Sequence, residues 1–154
     1  MDITFYLEQG VFNYRAAAIL IKDHHVLLHK QKDDKYWALP GGRVELMEDS
    51  SHCIKREMKE ELGYEVEIEQ LIWFTENFFE YKGKPFHEIG LIYKVSTTDK
   101  VNVKSDFFYG KEGEHLLYKW VPIEELNKII LYPEFLKTGL TELPTVTQHL
   151  IIGK

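Results

Sequence analysis

The stretch that decides the fold runs from Gly42 to Tyr64 and reads GRVELMEDSSHCIKREMKEELGY. Its three clustered glutamates, Glu57, Glu60 and Glu61, recur at i, i+3 and i+4, so their side chains share one face of a helix. Like charges at this spacing destabilise a helix by about 0.2–0.5 kcal/mol per pair. A divalent cation removes that repulsion, and Mg²⁺ or Mn²⁺ prefers such oxygen ligands. The pattern therefore predicts a metal-binding helix.

The opposite side of the same helix is apolar. Ile54, Met58 and Leu62 recur at i, i+4 and i+8, as expected where a helix packs on a core. Polar capping residues precede Ser50, and Gly63 is suited to a left-handed cap. These signals predict a helix over residues 50–62.

At this point the stretch resembles the box of the MutT-like Nudix hydrolase family. That box is glycine, five residues, glutamate, seven residues, then Arg-Glu-apolar-x-Glu-Glu-x-Gly-apolar. The matching positions are Gly42, Glu48, Arg56, Glu57, Met58, Glu60, Glu61, Gly63 and Tyr64. Tyr64 departs from the pattern because its ring is only half apolar. The resemblance implies an α/β fold, a Nudix-type α/β/α sandwich around a mixed central β-sheet.

The rest of the chain is rich in strand signals. Apolar runs, alternation and turn residues predict strands over 14–21, 26–30, 36–39, 44–46, 65–79, 87–95 and 118–121. Further helices are predicted from residue 122 and over 132–140, with a loop over 97–114 and a closing segment of undetermined type over 146–152. We expect a single domain spanning residues 1–154, with the box at 42–64.

Composition limits the function classes. The 154 residues are 44% apolar and 29% charged, which is typical of a globular protein. The net charge of −6 argues against nucleic-acid binding, because phosphate backbones require clustered Lys and Arg. No apolar run approaches the length of a membrane span, and no signal peptide begins the sequence. The single cysteine, Cys53, fits a reducing, cytoplasmic location and is predicted to be buried.

The resemblance implies hydrolysis of a pyrophosphate bond in a nucleoside diphosphate linked to another group. Such catalysis needs charge neutralisation and an activated water, which bound Mg²⁺ or Mn²⁺ supplies. Alternatives within this chemistry are a modified nucleoside triphosphate, a nucleotide sugar or a dinucleoside polyphosphate. A Nudix-like binding or regulatory module without turnover is a further alternative, although the box carboxylates are all present. The partner is then a small nucleotide, and a homodimer is possible because dimers are frequent in the family.

The resemblance implies which residues bind the metal, because each ligand has a fixed position in the box. Glu57 and Glu61 resemble the principal ligands, and Glu60 completes the set. Gly41 sits where family members offer a backbone carbonyl to one metal. Glu48 resembles the box glutamate that acts through water-mediated contacts.

Arg56 is expected to orient Glu57 through a bidentate pair, or alternatively to form an ordinary i, i+4 ion pair with Glu60. The general base is open at this stage. The resemblance implies a glutamate in a loop late in the domain, and Glu112 and Glu114 are the candidates. A box glutamate is the alternative. Each of the two loop glutamates can equally be interpreted as a solvated surface charge with no catalytic role.

Substrate contacts are predicted from charge and aromaticity. Arg43 follows the glycine pair and is the first candidate for phosphate binding. Lys30 and Arg15 lie on early strands, where they are either phosphate contacts or sheet-edge charges. Trp37 belongs to an aromatic excess in which some rings stack a base and most pack in the core.

Overall fold

The computed structural model describes residues 1–154. The chain forms nine strands and two α-helices: β1 (Thr4–Leu7), β2 (Gly10–Lys22), β3 (His25–Gln31), β4 (Gly41–Arg43), α1 (Ser50–Leu62), β5 (Glu67–Tyr81), β6 (Lys84–Ser96), β7 (Phe108–Tyr109), β8 (Leu116–Pro122), α2 (Leu136–Gly139) and β9 (Gln148–Ile152). A 3₁₀ helix, Ile123–Lys128, follows β8. None of the helices has the length and apolar character that crossing a membrane requires.

The strands form one mixed sheet in the order β7-β8-β3-β2-β6-β5-β9, with β1 and β4 both pairing with β2. The β2–β6 and β5–β9 pairs are parallel, and the other pairs are antiparallel. Strand β2 is therefore the centre of the fold, because it contacts four other strands along its length. Every element of the site described below is attached to it directly or through one neighbour.

Two apolar cores lie on opposite faces of this sheet. Alternate residues of β2 supply them because successive side chains of a strand point to opposite sides. Ala16 and Ala18 pack with α1, whereas Ala17 and Ile19 pack with the segment that carries the 3₁₀ helix and α2. Helical segments thus cover both faces, which is the α/β/α arrangement expected from the sequence.

Helix α1 has the bounds predicted from its capping signals. The Asp49 side chain accepts a hydrogen bond from the backbone N–H of His52, and Gly63 takes the left-handed conformation at φ 72°. Ile54 and Met58 are fully buried, as predicted for the apolar stripe. Cys53 is also fully buried, and burial raises the pKa of its thiol to about 12, so it is inert packing as expected.

Four element predictions need correction. Residues 36–39 form only single bridges, His29 with Ala38 and Trp37 with Leu131, because neighbouring residues of the segment pair with different parts of the chain and no ladder extends. The strand predicted over 44–46 is displaced to Gly41–Arg43. The helix predicted from residue 122 is a 3₁₀ helix, and that predicted over 132–140 shrinks to Leu136–Gly139. The undetermined closing segment is strand β9, paired with β5.

Candidate active site

Arg56 is the centre of the box, and its main partner differs from the predicted one. Its Nε and Nη2 atoms donate to the two Glu48 carboxylate oxygens at 2.7 and 2.9 Å, so the bidentate pair is with Glu48. Its Nη1 atom donates to Glu57 Oε1 at 2.9 Å and to Glu60 Oε2 at 3.3 Å. The predicted Arg56–Glu57 bidentate pair is thus replaced by one bond, while the alternative contact with Glu60 is also present. The guanidinium group fixes the loop before α1 to the helix.

Glu57 lies against the backbone of β4. Gly42 leaves room for its carboxylate, since a Cβ at that position would overlap the carboxyl group. Burial raises the pKa of Glu57, and the Arg56 guanidinium opposes that rise. The lack of a side chain at Gly42 therefore brings the carboxylate to the edge of the sheet.

Glu61, one turn further along α1, lies beside the loop that precedes β8. The Lys111 N–H donates to the Glu61 backbone carbonyl at 2.6 Å. Burial and then the adjacent Glu112 carboxyl group raise the pKa of Glu61 to about 7. The Tyr118 hydroxyl donates to Glu61 Oε2 at 3.5 Å.

The two loop candidates are now distinguished by position. Both are exposed, but only Glu112 lies close enough to Glu61 for its carboxyl group to raise the Glu61 pKa. Glu60 is also largely exposed, at 46% of its side-chain surface, and contacts Arg56 alone. The carboxylates that approach one another are those of Glu57, Glu61 and Glu112.

The donor set fits a hard divalent cation in its chemistry, because partly buried carboxylates that repel one another are stabilised by bound positive charge. Their side chains are spread apart in this structure, however. No three acidic, histidine or cysteine side chains converge closely enough to ligate a single ion. The Glu48 carboxylate is fully engaged by Arg56 on both oxygens. Among the predicted carboxylate ligands, Glu61 has both oxygens free of Arg56, and Glu57 and Glu60 each have one.

A cavity of about 690 Å³ lies on the other face of the sheet from α1. Gly41 and Arg43 of β4 line its edge, so the strand that receives Glu57 on one side faces the cavity on the other. Arg15 lies in its wall, where its Nη2 atom donates to the Leu39 carbonyl at 2.9 Å. The positive charge of Arg15 also lowers the pKa of both Glu57 and Glu88, against the larger effect of burial. The positive charge of Arg15 therefore acts both on a glutamate of the box and on a glutamate of the cavity.

Of the two other predicted substrate contacts, Lys30 lies in the cavity wall and Trp37 does not. Lys30 lines the cavity, with its Nζ atom donating to the Asp34 carbonyl at 3.2 Å and lying 5.5 Å from the Trp37 ring centre. Trp37 itself lies outside the cavity lining and packs against the core on that face. The tyrosine rings that line the cavity near this point are those of Tyr36, Tyr81 and Tyr132.

A row of polar side chains crosses four strands, and all of its members except Thr4 line the cavity. Sequence patterns did not single it out. The register places Thr4 opposite Asn13, Asn13 opposite Glu88, and Glu88 opposite Asn77 on the adjacent strands β1, β2, β6 and β5. The Thr4 hydroxyl donates to Asn13 Oδ1 at 2.7 Å, and Asn13 Nδ2 donates to Glu88 Oε2 at 2.8 Å. Burial raises the pKa of Glu88. The only signal in the sequence is that polar residues occur within strands that are otherwise mostly apolar. These residues can be recognised as one row only when the register of the strands is known.

The residues match a known domain. The model of the NUDIX domain family matches residues 12–139. An 8-oxo-dGTP diphosphatase of Buchnera aphidicola subsp. Schizaphis graminum is 30% identical over 113 residues, which is 71% of this chain and 76% of that protein. A putative ADP-ribose pyrophosphatase of Bacillus subtilis is 28% identical over 81 residues, covering 52% of this chain but 39% of that protein.

Solved structures show the same fold. A Nudix hydrolase from Nitrosomonas europaea superposes with a TM-score of 0.63 at 21% identity, over 94% of this chain and 81% of that one. A MutT Nudix hydrolase from Burkholderia pseudomallei gives a TM-score of 0.62 at 19% identity, over 85% of this chain and 98% of that one. The predicted fold class is confirmed. With the box residues in place on α1 and the family model covering most of the chain, the protein belongs to the MutT-like Nudix hydrolases and is a Nudix pyrophosphohydrolase.

Proposed function

We propose that the protein hydrolyses the pyrophosphate bond of a nucleoside diphosphate linked to another moiety, releasing a nucleoside monophosphate and a phosphorylated product. The observation that carries this proposal is the position of β4 between two features. Glu57 lies against Gly42 on one side, while Gly41 and Arg43 line the cavity on the other. A diphosphate at this edge has its nucleoside in the cavity and its anhydride bond beside the carboxylates.

Glu57 and Glu61 would hold Mg²⁺ or Mn²⁺, with Gly41, Glu48 and Glu60 as the further predicted contributors. A bound divalent cation supplies charge neutralisation of the phosphates and a lowered pKa for a coordinated water. Arg56 keeps Glu48 and Glu57 in fixed rotamers, so the acidic face is preorganised.

Arg15 and Arg43 are the proposed phosphate contacts. Both line the cavity next to β4, and their register on β2 and β4 places them side by side. Guanidinium groups pair well with phosphate oxygens because their planar donor geometry matches. Lys30 lies further along the cavity and contributes charge without a bidentate geometry.

Glu112 is the proposed general base, in preference to Glu114. A base must lie within hydrogen-bond reach of the water it activates, and Glu112 lies next to Glu61 while Glu114 does not. The expected result is that Glu112→Gln lowers kcat by about 10²–10⁴-fold, whereas Glu114→Gln stays within about twofold of wild type. Steady-state hydrolysis with Mg²⁺ measures both. Equal losses in the two variants would contradict the assignment.

The relatives favour this chemistry over a silent binding module. Those named above are described as a diphosphatase and a pyrophosphatase, one with 8-oxo-dGTP and one with ADP-ribose as substrate. The decisive experiment is a panel with Mg²⁺ and with Mn²⁺, containing nucleoside triphosphates, nucleotide sugars, ADP-ribose and dinucleoside polyphosphates. Release of a nucleoside monophosphate from at least one member is expected. Tight binding with no turnover of any member would instead support the regulatory module.

The single domain, the homodimer and the cytoplasmic location stay predictions from the sequence. Cys53 is buried, so it is not available for a disulfide with a second copy. Any dimer must therefore form without a disulfide at this residue, and sedimentation at micromolar concentration measures its extent.

A further inference from the structure

We infer that Gly110 is a positioning residue, whose lack of a side chain lets the loop between β7 and β8 dock on α1 and so holds Glu112 beside Glu61. The inference rests on the proposed function, in which Glu112 is the general base. It concerns residues 110–115, called the β7–β8 loop below, and the last turn of α1.

The first support is the lack of space around Gly110. A Cβ at this position would lie 2.9 Å from the Glu61 carbonyl oxygen, 3.0 Å from Tyr118 Cε1 and 3.1 Å from Glu61 Oε2. Packed carbon atoms lie about 3.5–4.0 Å apart, so even an alanine would push the loop away from the helix. Gly110 does not have a positive φ, so its backbone conformation is open to other residues. Glycine is required here because the loop and the helix approach so closely.

The second support is a backbone hydrogen bond directly after Gly110. The Lys111 N–H donates to the Glu61 carbonyl oxygen at 2.6 Å. The last four carbonyl groups of a helix have no partner within it, and α1 ends at Leu62, so the loop supplies one of the missing donors. The Lys111 side chain also lies over Gly63, where the partial negative charge of the helix end attracts a cation. Because the end of this side chain can move, the backbone bond is the fixed contact.

The third support is that the loop docks between two rigid parts of the fold. Phe108 of β7 pairs with Tyr118 of β8, and their rings stack with centres 5.7 Å apart. Tyr118 is 1% exposed, and its hydroxyl donates to Glu61 Oε2 at 3.5 Å. Gly110 directly follows β7. It is therefore held between a buried ring and the end of a helix.

These contacts determine where the side chain of Glu112 begins. Glu112 follows the anchored Lys111, and its carboxyl group lies close enough to that of Glu61 to raise the Glu61 pKa, after the larger effect of burial. Gly113 then takes a φ of 128°, which side chains rarely adopt, and Glu114 lies beyond this turn. The two glycines of the loop thus have different roles, since Gly110 permits the approach to the helix and Gly113 permits the turn after Glu112.

The docking matters because Glu61 and Glu112 repel each other when both are ionised. Glu112 is exposed, so a free loop would carry it into solvent and away from the helix. The contacts of Gly110 and Lys111 oppose this separation. Their loss should therefore reduce catalysis through Glu112 and leave the cavity on the other face of the sheet unaffected.

The test is a double-mutant cycle on kcat, with a substrate found in the Mg²⁺ panel. Gly110→Ala is expected to lower kcat about 10- to 100-fold, because a small displacement of a catalytic group has a large effect on rate, and to change KM less than about threefold. In the Glu112→Gln background the same substitution is expected to change kcat less than about twofold, because the side chain through which it acts is gone. In the matched control background, Glu114→Gln, the full loss is expected.

A second measurement depends neither on turnover nor on metal. Hydrogen exchange of the Lys111 amide, followed by NMR in the metal-free protein, reports its bond to the Glu61 carbonyl. Gly110→Ala is expected to speed this exchange at least about tenfold, with a melting temperature within about 3 °C of the wild type. The control is Gly83→Ala, on the β5–β6 turn, where a Cβ has open space but φ is 78°. It is expected to lower the melting temperature and leave the Lys111 exchange unchanged.

Each outcome has a distinct meaning. An equal loss of kcat from Gly110→Ala in the wild-type and Glu112→Gln backgrounds overturns the inference, as does unchanged Lys111 exchange in Gly110→Ala or wild-type turnover by Glu112→Gln. If panel compounds are hydrolysed and the cycle is additive, the positioning role fails while the proposed function stands. If Gly110→Ala speeds the exchange and the wild type hydrolyses no compound, the proposed function fails and the docking of the loop stands.

Discussion

Arg56 donates to three acidic side chains at once, and this contact set shows what a sequence motif leaves open. The spacing of the box identified the arginine and its acidic neighbours, because those positions belong to one helix and one adjoining loop. It did not identify which carboxylate takes the bidentate geometry, because that depends on how closely the loop at Glu48 approaches the helix. The structure assigns Glu48, at 2.7 and 2.9 Å.

Replacement of Glu48 by Gln is expected to destabilise the metal-free protein by about 2–3 kcal/mol, since the amide lacks the charge and the second acceptor oxygen that pair with the partly buried guanidinium group. The Arg56 hydrogen bonds hold the pKa of Glu48 below its ordinary value of 4.5. The stabilisation is therefore fully present above pH 4.5 and is lost as the pH falls through the lowered pKa of the folded state. Urea unfolding at pH 7 and at successively lower pH measures it.

The matched control is Glu60→Gln, which removes an exposed contact of the same arginine at 3.3 Å. Its expected cost is below about 0.5 kcal/mol, as for other exposed ion pairs. Equal costs for Glu48→Gln and Glu60→Gln would contradict the assignment of Glu48 as the principal partner.

His29 is the residue whose burial makes the fold sensitive to mild acid. The residue is 7% exposed, its Nδ1 has no partner, and burial together with Arg15 lowers its pKa to about 3. Because the unfolded state binds a proton near pH 6.5 and the folded state does not, stability falls as the pH drops from 6.5 towards 3, by at most about 1.4 kcal/mol per pH unit.

His29→Gln removes this dependence. Glu61, with a raised pKa of about 7, has the opposite sign, so the comparison of wild type with variant isolates the histidine. Thermal unfolding between pH 7 and pH 5 is expected to show a steeper decline for the wild type, and parallel declines would refute the prediction.

At the scale of elements, local signals were sufficient for α1 and insufficient for the segments after it. The bounds of α1 follow from its own caps and stripe, which is why residues 50–62 were predicted correctly. The segment over 36–39 has strand composition, but its partners are a single residue of β3 and Leu131, which no local pattern reveals. The segment over 132–140 is apolar at helical spacing, yet only Leu136–Gly139 is α-helical.

The two glycines that bound the box are expected to respond differently to alanine. At Gly63 the φ of 72° strains any side chain, so Gly63→Ala should cost about 1 kcal/mol of stability with activity retained. At Gly42 a Cβ would overlap the Glu57 carboxylate, so Gly42→Ala should lower kcat at least about tenfold. Melting temperature and turnover measured on the same two proteins check this. A reversed pattern would show that Glu57 is not positioned by Gly42.

At the scale of the whole molecule, metal binding should be visible as stability. A ligand that binds only the folded state stabilises it by RT ln(1 + [L]/Kd), which is about 2.7 kcal/mol at a hundredfold excess over Kd. Mg²⁺ is therefore expected to raise the melting temperature of the wild type. Glu57→Gln and Glu61→Gln should fold, melt no lower than the wild type without metal, lose this rise, and turn over at least about a hundredfold more slowly.

Sodium chloride at matched ionic strength serves as the control for nonspecific ionic effects, and Glu114→Gln serves as the control variant, because its carboxylate is exposed and makes no ion pair. If both box variants kept the Mg²⁺-dependent rise and wild-type turnover, the metal would have to lie elsewhere.

The sequence was most informative where chemistry is carried by one contiguous motif, and least informative where it is assembled across strands. The glutamates of α1 belong to the first kind. Asn13, Glu88 and Asn77 belong to the second, since they come from three strands and share a site only through the register of the sheet.

Strand β2 has a consequence for how such a protein diversifies. Its even positions, such as Ala16 and Ala18, support the helix that carries the reaction, while its odd positions, such as Asn13 and Arg15, face the cavity. The two sets of side chains are interleaved in sequence but separated by the thickness of the sheet. Substitutions at odd positions can therefore change the ligand without disturbing the helix, so that one lineage can exchange substrates while its reaction stays the same.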